Sequence, residues 1–359
     1  MRRRALVLGA VLLAALVGLG VLLVRDGAED EDAAREGTST TVELPSGSLA
    51  PLTGLPVPDD QLHLLARPAL AAKVDNHPDA VPQWGLSDAD IVIELRVEGI
   101  SRFLALFHSR VVGDVGPIRS ARTSDPDLLA MFGRPLTAWS GANPATRELM
   151  RSTDWIIDVS ADRLPEAYRR DGGARAPHNL VLDGAEAFEV EADPLRVPQV
   201  VFDYLDEGEA PGGEPVAGFE LNVGLSRSQY RWDDGRGGWL RWSDGVALHD
   251  ADHGGVDGPQ LAPTNVVVLE TAYGRSSADA SSPEALSVGE GRAWVFSAGH
   301  RVEGRWSRRD RTAPWALVDA DGAPIRLTPG TTWVAMPSEG LEPSTLTAEA
   351  AGSLGPAGR

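Results

Sequence analysis

The sequence predicts an α+β protein, in which a mixed α/β domain is followed by a smaller β-rich domain and preceded by one transmembrane helix. Three observations carry this prediction. Alternating apolar and polar residues between 69 and 107 are typical of strands, and helix-start signals follow at Ser124 and Asn143. After residue 216 only short strand patterns separated by turn residues remain. A charge-free run near the N-terminus supplies the transmembrane helix.

This N-terminal helix is predicted from twenty uncharged residues that begin at Ala5 and end at Val24. A helix of that length crosses the hydrocarbon core of a bilayer. Arginines precede the run and acidic residues follow it, which by the positive-inside rule places the N-terminus in the cytoplasm. Residues 1–24 are therefore predicted to be a single-pass signal-anchor in the cell membrane, with the C-terminal domains outside the cytoplasm. A cleaved signal peptide is the alternative.

Changes in composition divide the rest of the chain. Residues 25–50 are acidic and then rich in Ser, Thr, Gly and Pro, which predicts a disordered tether. The α/β domain is expected at 51–205 and the β-rich domain at 216–338, joined by a linker at 206–215 with the sequence DEGEAPGGEP. Small residues dominate from 339 to 359, where we expect a flexible tail.

Local patterns predict individual elements in both domains. In the first domain we expect a strand at 69–74 and a hairpin at 91–97 and 102–107, followed by helices that start at Ser124 and Asn143, each with a proline in the first turn. Seven of the ten tryptophans fall in the second domain, where amphipathic rings suit half-buried sheet faces. Its strands are predicted at 230–232, 240–242, 265–270, 292–296, 325–327 and 332–335.

Composition excludes several classes of function. The chain contains no cysteine, which removes disulfides, thiolate nucleophiles and thiolate metal sites. A net charge of −19 argues against a nucleic-acid partner. The motifs of zinc peptidases, serine hydrolases with a nucleophile elbow and P-loop enzymes are absent. We predict no cofactor.

Unusual chemistry is concentrated between residues 73 and 122. Lys73, the only lysine, opens this stretch, although a general bias towards arginine would also explain its uniqueness. Strand alternation places Glu94, Arg96 and Glu98 on one face of the predicted hairpin, with Arg102 opposite Arg96 or Glu98. A solvated sheet face with weak ion pairs is one interpretation. The other is a pocket floor, where a carboxylate acts as acid or base and arginines bind an anion.

The loop before the first predicted helix favours an anion site. Arg119, Ser120 and Arg122 lie where the helix presents unpaired N–H groups, a combination that suits a carboxylate or phosphate. Alternatively, these arginines pair with Asp125 and Asp127. We expect Glu98, Arg102, Arg119 and Arg122 to form one outward-facing site.

Histidines give weaker signals. His249 and His253 enclose two aspartates, but glycine-rich surroundings indicate a polar turn, and we predict no metal site. His178 lies in a proline-bounded loop, where it acts as a base or ligand anchor or caps a turn. The candidate catalytic residues are Lys73, Asp75, Glu94, Glu98 and His178, and the candidate ligand-binding residues are Asn76, Arg102, Arg119, Ser120, Arg122 and Asn179.

Short motifs in the same order resemble those of the YerB-like proteins. They are PLTGLP at 51–56, KVDN at 73–76, PQWGL at 82–86, ADIV at 89–92, VEG at 97–99, SRF at 101–103, GPIRSAR at 116–122, PHN at 177–179, NVVV at 265–268, GRW at 304–306 and PGTTW at 329–333. The resemblance implies a bacterial envelope protein of unassigned biochemical function, with an α/β first domain and a smaller second one. The chain departs from it by lacking the lipobox cysteine. The resemblance supplies no established catalytic residues, so the candidate site residues rest on the sequence patterns above.

Three functions fit these observations. The first is a membrane-tethered module outside the cytoplasm that binds or scaffolds an envelope polymer or envelope protein through its carboxylate and arginine cleft. The alternative is an envelope hydrolase or transferase that uses Glu94 or Glu98 as general acid or base. In the third, the charges form a buried ion network that only fixes the fold.

Overall fold

Two segments of the chain contribute strands to one continuous sheet in a computed structural model, which describes residues 47–191, 197–280 and 282–355. Among these residues no helix is both long enough and apolar enough to cross a membrane. The predicted signal-anchor and nearly all of the predicted tether lie outside the described residues.

The first segment mixes short helices with strands. Its strands are β1 Leu70–Val74, β2 Ile91–Arg96, β3 Ser101–Phe107, β4 Asp114–Val115, β5 Leu136–Ala138, β6 Ile157–Asp158, β7 Tyr168–Arg170 and β8 Leu180–Asp183. Its helices are α1 Asp125–Leu129, α2 Pro144–Ser152 and α3 Gly184–Phe188, with 3-10 turns at Asp59–Ala66, Pro78–Ala80, Ala130–Phe132 and Pro165–Ala167.

The second segment is built almost entirely of strands, as predicted. They are β9 Glu214–Pro215, β10 Gly218–Val223, β11 Ser226–Asp233, β12 Gly238–Ser243, β13 Val246–Ala247, β14 Asn265–Leu269, β15 Tyr273–Arg275, β16 Pro283–Ala285, β17 Gly289–Ser297, β18 His300–Arg308, β19 Ala316–Asp319, β20 Thr332–Met336 and β21 Ser344–Leu346. One 3-10 turn, Gly255–Asp257, and the short helix α4, Ala348–Gly352, complete this part of the described chain.

Strand β20 joins the two segments within the main sheet. Its strand order is β19-β18-β17-β14-β20-β2-β3-β1-β5-β6, with β9 added on β18. Strand β20 runs parallel to both β14 and β2, so Val334 lies between Val267 and Ile93. The described chain also forms a five-stranded sheet, β13-β12-β11-β10-β21, a three-stranded sheet, β4-β8-β7, and the pair β15-β16.

Both faces of the main sheet are buried, because alternate side chains pack into two different cores. On one face Val92 and Phe103 pack with Phe219 and Tyr230 of the five-stranded sheet. On the opposite face Ile93 packs with residues around α1. Burying each large apolar side chain in this way stabilises the fold by roughly 1.5–3 kcal/mol.

Most local predictions agree with these elements, and two do not. The hairpin and both helix starts lie within one or two residues of their predicted positions. Residues 325–327 form no strand, because Leu327 makes only an isolated bridge to Tyr204. Part of the predicted tail is ordered, since β21 pairs with β10 and Trp242 Nε1 donates to the carbonyl of Gly355 at 3.1 Å.

Candidate functional site

The candidate site forms where β1 ends beside the start of β3. These strands are antiparallel with Val74 opposite Phe103, so the residues after β1 adjoin those that open β3. Asn76 Nδ2 accordingly donates to Ser101 Oγ at 2.7 Å. This register brings the predicted KVDN and SRF motifs together.

The loop before α1 runs antiparallel to the end of β1. Arg119 N donates to Lys73 O at 2.8 Å, and Asp75 N donates to Pro117 O at 2.9 Å. This pairing directs the Arg119 side chain to Asp75, where Nε lies 3.0 Å from Oδ2 as an ion pair without hydrogen-bond geometry. Neither Arg119 nor Arg122 pairs through its side chain with Asp125 or Asp127, the partners considered from sequence.

Arg122 forms a two-pronged ion pair with Glu98 in the turn between β2 and β3. Its Nε and Nη2 atoms each lie 2.8 Å from a carboxylate oxygen of Glu98. Ser282 Oγ also donates to this carboxylate. Burial alone would raise the pKa of Glu98, but the hydrogen bonds from Arg122 and Ser282 outweigh it and lower the pKa to about 2. Glu98 is therefore ionised at neutral pH.

Arg102 lies beside these pairs without a partner of its own. Its relative exposure is 6%, yet Nε and Nη1 are buried with no hydrogen-bond partner among the described residues. Burial, and next the charge of Arg122, lowers the pKa of Arg102 to about 10. Strand register places Arg102 opposite Leu95, not opposite Arg96 or Glu98 as predicted.

Charge is balanced in and around this described cluster. The cations are Lys73, Arg102, Arg119 and Arg122, and the carboxylates are Asp75, Glu98, Asp125 and, across a neighbouring cavity, Asp279. Lys73, Arg119 and Arg122 each form an ion pair, whereas Arg102 forms none with a described residue. A buried cation without an ion-pair partner is costly unless an anion binds beside it.

His178 lies on the other side of Asp75, just before β8. Its Nδ1 is 2.7 Å from Asp75 Oδ2, the oxygen that also faces Arg119. The His178 ring stacks on His77 with 4.2 Å between ring centroids. His77 was missed from sequence, although it directly follows the KVDN motif and could have been noted there.

A cavity of about 320 Å³ opens next to Arg122. It is lined by Glu98, Ser120, Ala121, Arg122, Ala142, Asn143, Asp279 and Ser282. Arg122 and Ser120 thus border open space, as the prediction of an anion-binding loop requires.

Of the eleven predicted site residues, Glu98, Ser120 and Arg122 line this opening, and the other eight, Arg102 and Arg119 among them, do not. Lys73 has no exposed surface, and its Nζ donates to Asp125 at 2.9 Å, while burial lowers the pKa of Lys73. Asn179 uses its side chain to hold the preceding loop through Arg170 and the carbonyls of Asp171 and Ala174.

The interpretation of the Glu94 face of β2 as a solvated sheet surface is wrong at Glu94. Glu94 has no exposed surface, because the five-stranded sheet covers it. Its carboxylate accepts from Arg241 Nη2 at 2.8 Å, from Trp333 Nε1 at 2.9 Å and from Ser101 Oγ at 2.6 Å. Glu94 therefore belongs to a buried ion network, the third of the sequence-based interpretations, and is closed to any ligand in this structure.

Comparisons with known proteins cover most of the described fold. Residues 52–193 match the N-terminal domain, and residues 219–334 the C-terminal domain, of a protein family of unknown function named DUF3048. A relative from Bacillus subtilis (strain 168), named "Putative lipoprotein YerB", is 30% identical over 300 residues, which cover 79% of this chain and 85% of the relative. The chain belongs to the YerB-like DUF3048 family.

The solved fold of this family agrees with that assignment. The crystal structure of YerB from Bacillus subtilis aligns with a TM-score of 0.68 at 25% sequence identity, covering 83% of this chain and 99% of that one. The resemblance predicted from the short motifs is thereby confirmed. The sheet-rich α+β architecture described above is that of the YerB-like fold.

Proposed function

We propose that this YerB-like chain binds an anionic group of an envelope component, a phosphate or a carboxylate, through the arginine cluster Arg102, Arg119 and Arg122. The observation that carries the proposal is Arg102, which is nearly buried and whose Nε and Nη1 atoms are buried with no hydrogen-bond partner among the described residues. A protein gains nothing in stability from such a cation. Arg122, whose charge acts on Arg102, borders an open cavity through which an anion can approach the cluster.

A Glu-based hydrolase has less support. Glu94 is inaccessible, and Glu98 holds Arg122 with both carboxylate oxygens. The low pKa of Glu98, about 2, leaves it without a proton to donate at neutral pH. Binding is accordingly the better description of this cluster.

Replacing Arg102 by glutamine tests the proposal. We expect wild-type full-length protein to bind inorganic phosphate or acetate at low ionic strength, measured by isothermal titration calorimetry, and Arg102→Gln to bind the same probe at least about tenfold more weakly, because a charge-assisted contact is lost. Comparison of the two probes separates a phosphate from a carboxylate ligand. Thermal unfolding of the variant should occur at the same or a higher temperature, since an unpaired buried charge is removed.

The matched control is Arg305→Gln, because the Arg305 side chain is 57% exposed on β18 and outside the cluster. It should leave the affinity unchanged. The proposal fails if wild-type protein binds neither probe, or if Arg102→Gln binds as tightly as wild type.

Membrane tethering is the second part of the proposed function. The Bacillus subtilis relative carries the name "Putative lipoprotein YerB", whereas this sequence has no cysteine to carry an acyl chain and instead contains the charge-free run from Ala5 to Val24. We expect full-length protein expressed in a bacterial host to remain in the membrane pellet after alkaline carbonate washing, and a variant lacking residues 5–24 to be soluble. Intact mass of the purified chain distinguishes the anchor from a cleaved signal peptide; recovery of wild type in the soluble fraction would contradict tethering.

A further inference from the structure

A second group of side chains beside Asp75 has the composition of a transition-metal site. His77, Asp79 and His178 each offer one ligand atom, and these atoms all lie within 4.8 Å of one another. Two imidazoles and a carboxylate suit zinc and other divalent transition metals. Among the described residues, these three side chains form the one group of histidines and acids whose ligand atoms are close enough to share an ion.

Asp75 fixes the orientation of His178 in the way that carboxylates do behind metal-binding histidines. His178 Nδ1 lies 2.7 Å from Asp75 Oδ2, which leaves the other ring nitrogen, Nε2, for a ligand. Asp75 is fully buried and held by the backbone N–H of His77 at 3.1 Å and by Arg119 at 3.0 Å. One of the three ligands is therefore oriented before any ion arrives.

The other two ligands can move to complete the site. The side chains of His77 and Asp79 are 41% and 69% exposed, with 3.7 Å between His77 Nδ1 and Asp79 Oδ2. Zinc ligands lie about 2.0–2.2 Å from the ion, so these exposed side chains must draw inwards. His77 must also exchange the Asp79 backbone N–H, now 3.2 Å from Nδ1, for the ion or bind through Nε2.

A second histidine pair with neighbouring aspartates, His249 and His253, makes different contacts within the described part of the chain. His249 Nδ1 lies 2.9 Å from the carbonyl of Gly258, and His253 Nε2 lies 3.0 Å from Asp88. Asp250 accepts from the backbone N–H groups of Gly85, Ser87 and Asp252. The predicted polar turn is what the structure has there, and His253 becomes a suitable control.

We propose that His77, Asp79 and His178 bind a divalent transition metal ion, with Zn²⁺ as the probe. Three protein ligands leave at least one coordination position open for water or an exogenous ligand. The proposal stands independently of anion binding at the arginine cluster, although Asp75 Oδ2 contacts both His178 and Arg119. The Asp75 carboxylate therefore lies between the proposed metal site and the arginine cluster.

The test uses tag-free full-length protein, stripped with chelator and titrated with ZnCl₂ by calorimetry. We expect one ion per wild-type chain, and His77→Gln and His178→Gln each to weaken binding by at least about tenfold. His253→Gln should bind like wild type. Co²⁺ titration adds a second readout, since visible absorption bands of a nitrogen-ligated ion should appear in wild type and fade in both variants.

The variants are informative because the His77 side chain is exposed and should be replaceable without unfolding, which circular dichroism checks. Arg102→Gln should keep Zn²⁺ affinity while losing anion affinity, so the two proposals can fail separately. No saturable Zn²⁺ binding by wild type would overturn the metal site, as would wild-type affinity in both histidine variants.

Discussion

His108 is a buried histidine whose surroundings keep its ring neutral. Its relative exposure is 1%, and its Nε2 lies 3.1 Å from the carbonyl of Arg67. Burial, and next the charge of Arg67, lowers the pKa of His108 from 6.5 to about 4. Protonation is therefore easier in the unfolded chain than in the folded one.

This difference predicts a loss of stability in mild acid. Between pH 6.5 and about 4, His108 is protonated in the unfolded chain but not in the folded one. The free energy of unfolding therefore decreases as the pH falls through this window, and the contribution of neutral His108 is complete above it. The gap in pKa corresponds to roughly 3 kcal/mol at its lower end. We expect urea unfolding of wild type and His108→Gln, compared from pH 7.5 to 4.5, to show a smaller pH dependence in the variant.

Glutamine at this position can still donate to the Arg67 carbonyl but does not titrate. The control is His63→Gln, because His63 is exposed and its Nδ1 lies 3.1 Å from the carbonyl oxygen of Asp60, three residues earlier. His63→Gln should retain the wild-type slope. Identical slopes for wild type and His108→Gln would show that His108 is not the group responsible.

At the scale of single residues, the sequence predicted which side chains lie close together but not which of them remain accessible to a ligand. Glu98, Arg102, Arg119 and Arg122 do lie together, because the loop that carries Arg119 and Arg122 pairs with the end of β1, and β1 pairs with β3, where Arg102 lies. Their pairing depends on distances that no local pattern encodes. The sequence around Lys73 does not distinguish a lysine that faces a ligand from one that, as here, pairs with the buried Asp125.

At the scale of elements, boundaries set by local signals were predictable. Helix α2 starts where Asn143 Oδ1 accepts from Thr146 N at 2.8 Å and Pro144 occupies the first turn, both encoded within four residues. The β2–β3 register was predicted wrongly: both pairings considered from sequence set Arg102 opposite Arg96 or Glu98, whereas the structure pairs Arg102 with Leu95, because the local pattern does not fix how many residues form the turn.

Functional geometry at this scale comes from elements that are distant in sequence. The end of β1, the loop before α1 and the residues before β8 meet at Asp75, which contacts Arg119 and, 103 residues further along the chain, His178. The strand at 69–74 was predictable from its own pattern. That the loop before α1 and the residues before β8 pack against its end was not. Candidate residues were thus easier to predict from sequence than the arrangement that makes them a site.

At the scale of the whole molecule, the main sheet crosses the boundary between the two family segments. Strand β20, near the C-terminal end of the second segment, pairs with β2 of the first, and the described residues lie in one compact unit. Sequence alternation could not reveal that a second sheet covers Glu94, since an exposed face and a covered one give the same pattern. Arg241, its partner, is 147 residues away.

The Glu94–Arg241 pair should therefore control the stability of the entire fold. Both side chains have no exposed surface, and the Arg241 guanidinium lies 4.2 Å from the Trp333 ring centroid. If one of the two charges is neutralised, the other therefore remains buried and is not hydrated. Glu94→Gln should lower the free energy of unfolding by about 3–5 kcal/mol, because Arg241 is left as a buried unpaired cation. Urea unfolding followed by tryptophan fluorescence and circular dichroism measures this loss.

The double variant Glu94→Gln, Arg241→Met separates charge from packing. Removing the unpaired cation should restore much of the lost stability, since an apolar side chain of similar length replaces it. Glu303→Gln, which breaks a surface pair with Arg292, should cost less than about 1 kcal/mol. Because β20 links both segments, fluorescence and circular dichroism should report one shared transition in every variant. Two separate transitions in Glu94→Gln would show that β20 alone does not make the two segments unfold together. A double variant as unstable as the single one would show that the unpaired Arg241 charge is not the cause of the loss.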